Sequence, residues 1–265
     1  MRQTHYWPVI IVEAKDAQRQ KITIRHKKYY IRKSVLSELW HSPNPRSSHL
    51  PQHPTLHSPQ ATVDKIRGWA TELGFQQLGI TGVDLGEHEA YLQKWLDAGY
   101  HGSMAYMARH GSKRSRPAEL VPGTLRVISL RMDYLERDTQ PLHILESPQK
   151  AYISRYTLGR DYHKLIRKRL SQLASRIEAE LGGGQFRAFV DSAPVLERAA
   201  AEQAGLGWIA KNTMLINRDA GSWFFLGEIF TDLPLPVDEA QDSKHCGTCT
   251  ACLDICPTNA FTGPF

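Results

Sequence analysis

The sequence predicts a layered domain of mixed helix and strand, α/β or α+β, over its middle and last thirds. Three observations carry this. Segments of helical spacing alternate with short apolar runs from residue 62 to residue 230. Hydrophobic residues make up 41% of the 265 residues, enough for a substantial core. All four cysteines fall between 246 and 256, too close together to form a disulfide framework that staples distant segments.

The elements follow in order. Val63, Ile66, Trp69, Ala70 and Leu73 recur at helical spacing, with Thr62 as a candidate cap and Gly74 as the stop. Gln77 to Thr81 reads as a strand. Tyr91, Leu92, Trp95 and Leu96 mark a second helix that Gly99 ends. Arg126 to Met132 has the continuous apolar character of a buried strand. A long helix is expected from about Arg160 to Leu181, with Leu165, Ile166, Leu170, Leu173 and Ile177 on one face and three glycines after it. Phe186 to Val190 is a strand that delivers Asp191 at its end, and Val195 to Ala204 is helical. Thr213–Asn217 and Trp223–Phe230 read as two strands of a hairpin around Arg218-Asp219-Ala220-Gly221.

The first 60 residues differ in kind. They hold ten Lys/Arg against three acidic residues, so the other 205 residues carry −1 of the total charge of +6. Prolines, histidines and serines dominate 40–60, a composition that buries too little apolar surface to offset chain entropy. The expected division is a basic extension and linker over 1–60, disordered, then a domain over 61–240 and a cysteine segment over 241–265. The six histidines of 1–60 lack paired spacing, so a metal site there carries little weight. No run of about 18 apolar residues occurs and no signal-peptide pattern opens the chain, so the expected setting is the cytosol, off the membrane.

Cys246-x2-Cys249-x2-Cys252-x3-Cys256-Pro257 is the spacing of bacterial ferredoxin clusters. Zinc is the alternative, but zinc ribbons separate two Cys-x2-Cys pairs by about 15–20 residues. Four soft ligands in eleven residues favour an iron–sulfur cluster and one-electron chemistry. The segment reads as a partial ferredoxin-like fold. In two-cluster proteins the fourth cysteine of such a run ligates the other cluster, and no further cysteine is present to complete a second set.

Several stretches resemble the epoxyqueuosine reductase family: Asp191-Ser-Ala-Pro-Val-Leu-Glu-Arg198, Ala204-Gly-Leu-Gly-Trp208, Lys211-Asn-Thr213, Arg114-Ser-Arg-Pro117, Tyr156-Thr-Leu-Gly-Arg-Asp-Tyr162 and the cysteine run. The resemblance spans about 61–263 and corresponds to roughly the first half of such an enzyme. It implies a cobalamin-binding catalytic domain and two [4Fe-4S] clusters. The implied reaction removes the epoxide oxygen of epoxyqueuosine in tRNA, the last step of queuosine formation, with an external electron donor and a monomeric enzyme. Residues 1–60, the missing second cysteine set and Ala210, where the family usually has Gly, depart from the pattern.

The resemblance also implies roles, each set beside a plainer reading. Asp191 is the implied proton donor; by sequence alone it reads as an N-cap of the helix that follows. Arg114 is implied to touch cobalamin; otherwise it and Arg116 sit in a solvated basic loop. Ser154, Arg155 and Tyr156 are implied cofactor contacts ahead of the long helix. Lys164, Arg167, Lys168 and Arg169 read as either an RNA-backbone face or an ordinary exposed one. Lys211, Asn212 and Thr213 are implied to lie against the corrin, or else form a turn between helix and strand. Leu226 and Gly227 are implied to line the pocket, or else belong to the sheet core. A reductive dehalogenase-like corrinoid enzyme, a ferredoxin-type electron carrier and an inactive remnant are the competing functional readings.

Overall fold

The structure, a computed structural model, describes residues 11–16, 19–24, 27–32, 58–135, 139, 141–146, 148–149, 151–241, 245–261 and 263. The chain divides into two compact units, residues 1–52 and 53–265. In the first, strands β1 (Ile11–Asp16), β2 (Arg19–Ile24) and β3 (Lys27–Arg32) form an antiparallel meander. This corrects the expectation of disorder throughout 1–60. The runs Ile22-Thr-Ile24 and Tyr29-Tyr-Ile31 are β-branched and aromatic, the residue types that favour a pleated backbone. The proline-rich stretch expected to be a linker lies almost wholly outside the described residues.

The second unit is built on a four-stranded sheet in the order β4 (Gln77–Thr81), β5 (Arg126–Asp133), β9 (Phe224–Thr231), β6 (Phe186–Phe189). Every pairing in it is antiparallel, which makes the fold α+β. Helices α1 (Pro59–Glu72) and α5 (Tyr162–Leu181) cover one face. Their residues Val63, Ile66, Ala70, Ile166, Leu170, Leu173 and Ile177 bury against Leu78, Ile80, Ile128, Leu130 and Ile229. Asp161 caps α5 through the His163 amide, and Gly182 closes it at φ 70°. Leu165, expected on the apolar stripe, is 37% exposed, because Ile166 takes the inward position. Thr62 does not cap α1; Pro59 opens the helix, and the Thr62 hydroxyl bonds back to the Ser58 carbonyl.

The other face carries α6 (Glu197–Gln203), packed on β4, β5 and β9 through Ala199, Ala200 and Ala201. Three successive alanines let the helix backbone approach the sheet closely. Ala204 follows them, and the Gly79 backbone meets its carbonyl so tightly that an added Cβ would lie 2.0 Å from the oxygen. A short hairpin of β7 (Trp208–Ile209) and β8 (Leu215–Ile216) extends this layer. This corrects the expected hairpin of 213–230. The turn after Asn217 does form, with reciprocal Asn217–Gly221 backbone bonds. Its flanks part, however, because β9 is long and apolar enough to take a central place between β5 and β6.

Helix α2 (His88–Asp97) forms as its spacing predicts but buries none of its residues. Short helices α3 (Pro117–Leu120) and α4 (Pro141–Leu145) complete the elements before α5, and α7 (Ala251–Asp254) lies within the cysteine segment. The segment after β9 covers the β4 edge: the Asp238 amide donates to the Ile80 carbonyl, the Ile80 amide to the Asp238 carboxylate at 2.8 Å, and Arg67 pairs with that carboxylate at 2.5 Å. No helix among the described residues is long and apolar enough to cross a membrane. Replacing Gly79→Ala is expected to cost about 1–3 kcal/mol through overpacking against Ala204, read as a lower midpoint in urea unfolding.

Candidate active site

The site lies on the α6 face, where β6 ends and the chain turns into the helix. Asp191 follows Val190 with φ 47°, a left-handed conformation that a non-glycine residue adopts only when its surroundings hold it. Those surroundings are specific. The Asp191 amide donates to Glu197 Oε1 at 2.5 Å. Its carboxylate Oδ2 accepts from the Tyr162 hydroxyl at 2.5 Å and lies 2.9 Å from His163 Nε2. The other ring nitrogen of His163 meets Asp161 at 3.0 Å, so two carboxylates orient one imidazole. Tyr162 stacks on both His163 and Phe225, with ring centroids 4.0 Å apart in each case. Burial and the Asp191 carboxylate push the Tyr162 hydroxyl well above its usual range, so it stays a donor. Asp191 is therefore not the N-cap that the sequence alone favours; α6 starts six residues later, after Leu196.

Behind Asp191 sits a second pair of acids. Glu228 is fully buried on β9, beside Ser129 of β5. Glu197 lies against it from the first turn of α6, and the two carboxyls share a hydrogen bond. Burial pushes Glu197 up to about 7 and holds Glu228 well above the ordinary carboxylic range. Glu228 Oε2 meets no N–H or hydroxyl donor, and a proton between the two carboxyls is the hydrogen bond open to it. Arg198 is next in line, donating to the carbonyl and hydroxyl of Thr213 at the tip of the β7–β8 hairpin.

Two cavities meet at Asp191. The larger, about 550 Å³, has a wall of Tyr91, Leu92, Trp95, Met107, Val195 and Ile209, with Arg114, Asp191, Glu197, Arg198 and Thr213 supplying polar groups. This explains why the stripe on α2 leaves the core uncovered: it lines the cleft. The smaller cavity, about 170 Å³, lies between Tyr162, Asp191, Met214 and Leu226. Asp191, Arg114 and Thr213 therefore share one cavity wall, and Leu226 lines the neighbouring one.

The other sequence-predicted residues fall elsewhere. Gly227 points to the opposite face, where an added Cβ would lie 2.9 Å from Ile166 and Leu170. Alternation along a strand allows only one of Leu226 and Gly227 to face the pocket. Lys211 reaches away from the cleft and donates to the carbonyls of Gly247 and Cys249, both at 2.8 Å. Asn212 accepts from the Met214 amide at 3.2 Å and shapes the turn, while Thr213 holds φ 65°. These three residues form the tip of a hairpin rather than a helix-to-strand turn. Ala210 is buried and closes that turn through its amide and carbonyl. Ser154 precedes a 3-10 turn, Arg155–Thr157, whose Tyr156 ring meets Tyr162 edge-on at 6.3 Å. The Arg155 Nε and Nη2 atoms are buried without a partner among the described residues, with the guanidinium 5.1 Å over Tyr152.

The basic loop is less basic than it reads. Arg114 is buried and donates to the carbonyls of Tyr106 and Met107 at 3.1 Å each. Arg116 is committed to Glu89 and Glu119. On α5, Lys164, Arg167 and Lys168 are exposed, but Arg169 packs over Gly74 and contacts Met132.

The four cysteines are free, with Cys249 exposed and the others half-buried. Backbone amides of Ala260 and Thr258 hold the Cys256 thiol below its usual range. Among the described residues, no three Cys, His, Asp or Glu side chains gather closely enough to hold a single metal ion.

A family model described as epoxyqueuosine reductase QueG, DUF1730, matches residues 114–192, the span from the buried arginine to the left-handed aspartate. The matched region belongs to the epoxyqueuosine reductase family. An epoxyqueuosine reductase of Pseudomonas aeruginosa is 72% identical over 207 residues, covering 78% of this chain and 57% of that protein. The chain thus spans a little over half the length of this relative. An epoxyqueuosine reductase solved with an epoxyqueuosine-modified tRNA-Tyr stem loop superposes with a TM-score of 0.68 at 25% identity, over 78% of this chain and 54% of that one. A Bacillus subtilis epoxyqueuosine reductase, solved with its catalytic aspartate loop swung out of the active site, gives 0.66 at 25% identity with the same coverage.

Sequence reasoning missed Glu197, Glu228, Tyr162 and His163. The signal for Glu228 was available: an acid inside the apolar run Phe224-Phe-Leu-Gly-Glu-Ile-Phe230 has to be buried, and buried acids mark functional sites.

Two predictions follow from this geometry. With Glu197 ionising near 7 in the folded chain and near 4.5 unfolded, the unfolded state loses its proton first, so stability falls as pH rises between those values. Glu228→Gln removes one buried acid of the pair. It is expected to raise Tm at pH 8 by about 2–4 °C per kcal/mol relieved, with a smaller gain at pH 5 in thermal melts. Lys211→Ala is expected to free the cysteine loop, read as faster proteolytic cleavage between 241 and 256 with the rest of the chain intact.

Proposed function

We propose that this chain carries the catalytic half of an epoxyqueuosine reductase, acting on epoxyqueuosine in tRNA. The observation that carries the reading is Asp191, held left-handed between two cavities by Tyr162, His163 and Glu197. Reduction of an epoxide to an alkene consumes two electrons and two protons and releases the oxygen as water. The protein's part is to place the epoxide-bearing cyclopentane ring of the modified base and to protonate the departing oxygen.

The residues suit the implied cofactors. The larger cleft offers an apolar, aromatic wall with a buried guanidinium and a carboxyl at its edge, which fits the face and the amide rim of a corrin. Arg114, Thr213 and Arg198 would hold it there, with Leu226 in the adjoining cavity. Ser154, Arg155 and Tyr156 would approach from the α5 side, where Arg155 has unpaired donors to give. When bound there, cobalamin would supply the reducing power for C–O cleavage, and an iron–sulfur cluster would supply single electrons. Cys246, Cys249, Cys252 and Cys256 supply thiolates in ferredoxin spacing. That spacing suits a cluster better than zinc, whose ribbon sites separate two Cys-x2-Cys pairs by a longer stretch. Lys211 acts on that segment rather than on the corrin, fixing its carbonyls against the hairpin.

In this scheme Asp191 gives its proton to the epoxide oxygen. Tyr162 remains protonated and donates to the resulting carboxylate, and His163, oriented by Asp161, returns a proton to it for the next transfer. A tRNA substrate is supported by the relative solved with a modified stem loop. The exposed Arg167 and Lys168 are the part of α5 that would meet phosphate, while Lys164 beside them pairs with Asp161 at 3.7 Å.

The test uses protein loaded with cobalamin and iron–sulfur cluster, a chemical reductant and tRNA bearing epoxyqueuosine. Mass spectrometry of the nucleosides then follows loss of one oxygen. Asp191→Asn is expected to lower kcat by about 10²–10⁴-fold with the corrinoid absorption retained. Wild-type turnover in that variant would remove Asp191 from the reaction.

A further inference from the structure

We propose that Glu197 is a positioning residue, a latch that holds Asp191 between the two cavities through the Asp191 backbone amide, with Glu228 as its buried counterpart. The inference rests on the reading of Asp191 as proton donor.

The geometry is specific. Asp191 pays the cost of a left-handed backbone at a non-glycine position, and its amide makes one short bond, 2.5 Å to Glu197 Oε1. Glu197 is the first residue of α6, a helix fixed to the sheet by Ala199, Ala200 and Ala201, so the acceptor cannot follow the loop if the loop moves. Glu228 stands behind Glu197 on the central strand β9 with no solvent access, leaving Glu197 no room to retreat. The side chain of Asp191 is 56% exposed and its partners Tyr162 and His163 come from another helix, so the carboxylate contacts alone do not define the loop. A related enzyme shows that a catalytic aspartate loop of this kind has a second position, swung out of its site. Releasing the amide is the step that such a movement requires here.

The latch responds to protonation. The groups facing Glu197 are Glu228 from β9, Arg198 from its own helix and Asp191 from the loop, with Tyr162 and His163 of α5 beyond. With Glu197 ionised, the amide bond is charge-assisted and strong. With Glu197 protonated it becomes an ordinary hydrogen bond to a neutral acceptor. Burial puts that change near neutral pH, so acidification loosens the loop and alkalinisation tightens it.

Hydrogen exchange at the Asp191 amide, normalised to the intrinsic rate at each pH, reads the latch without any turnover. In the wild-type chain, protection is expected to fall as pH drops through about 7. Glu197→Ala is expected to lower protection at pH 8 by about tenfold or more. Glu197→Gln keeps a neutral acceptor of the same shape that does not titrate, so protection sits at the lower, acid-side level at every pH, above that of Glu197→Ala, and the pH step disappears. In the loaded enzyme, kcat falls in Glu197→Ala at unchanged KM and recovers in part in Glu197→Gln. Wild-type protection in Glu197→Ala, or an unchanged pH step in Glu197→Gln, overturns the proposal. If Glu197→Ala does not fold, the Gln variant decides. Full turnover by Asp191→Asn alongside the expected exchange results would sink the proton-donor reading and leave the latch standing.

Discussion

Side chains alternate along β9, and that alternation divides the unit that carries the site. Phe225, Gly227 and Ile229 face α1 and α5 in the main apolar core, and Gly227 lets Ile166 and Leu170 come down onto the backbone. Leu226, Glu228 and Phe230 face α6, and among them stands an acid with no solvent access. Burying that acid is costly, and the surrounding structure answers the cost in a definite way. Glu197 is set against Glu228, Arg198 is anchored to the hairpin tip, and the Asp191 amide is drawn to the Glu197 carboxylate. The strained turn at Asp191 follows from this arrangement, as does the position of its carboxylate over two cavities.

Much of the frame was legible in the sequence because it rests on local patterns. Gln77–Thr81 as a strand, Arg126–Met132 as a buried strand and the span of α5 are read directly from apolar runs, helical periodicity and glycine stops. What failed was non-local. The turn at Arg218–Gly221 was correctly seen, yet which strands it joins depends on the sheet that β9 enters, and no local signal carries that. Leu165 and Ile166 are both apolar neighbours on α5, and only packing decides that Ile166 goes inward. The meander of 11–32 escaped notice because its basic composition outweighed its β-branched and aromatic residues.

The site was legible in part, and through resemblance more than through residue chemistry. By chemistry alone Asp191 reads as a cap, a reading that its distance from α6 removes. Lys211, Asn212 and Thr213 were rightly grouped, but the structure sends them different ways: Lys211 to the cysteine loop, Asn212 into the turn and Thr213 to Arg198. Side chains on three consecutive residues at a hairpin tip diverge, so a motif contiguous in sequence serves three neighbours at once.

The loop from Arg109 to Arg116 shows how sequence charge and surface charge come apart. Of its four cations, Arg114 is spent on backbone carbonyls inside the fold and Arg116 on two carboxylates, leaving Arg109 and Lys113 to solvent. Residues 61–265 sum to −1, so this loop is not part of a broad positive field. A polyanion settling there would displace few counterions, and its hold would depend on shape and specific contacts more than on ionic strength.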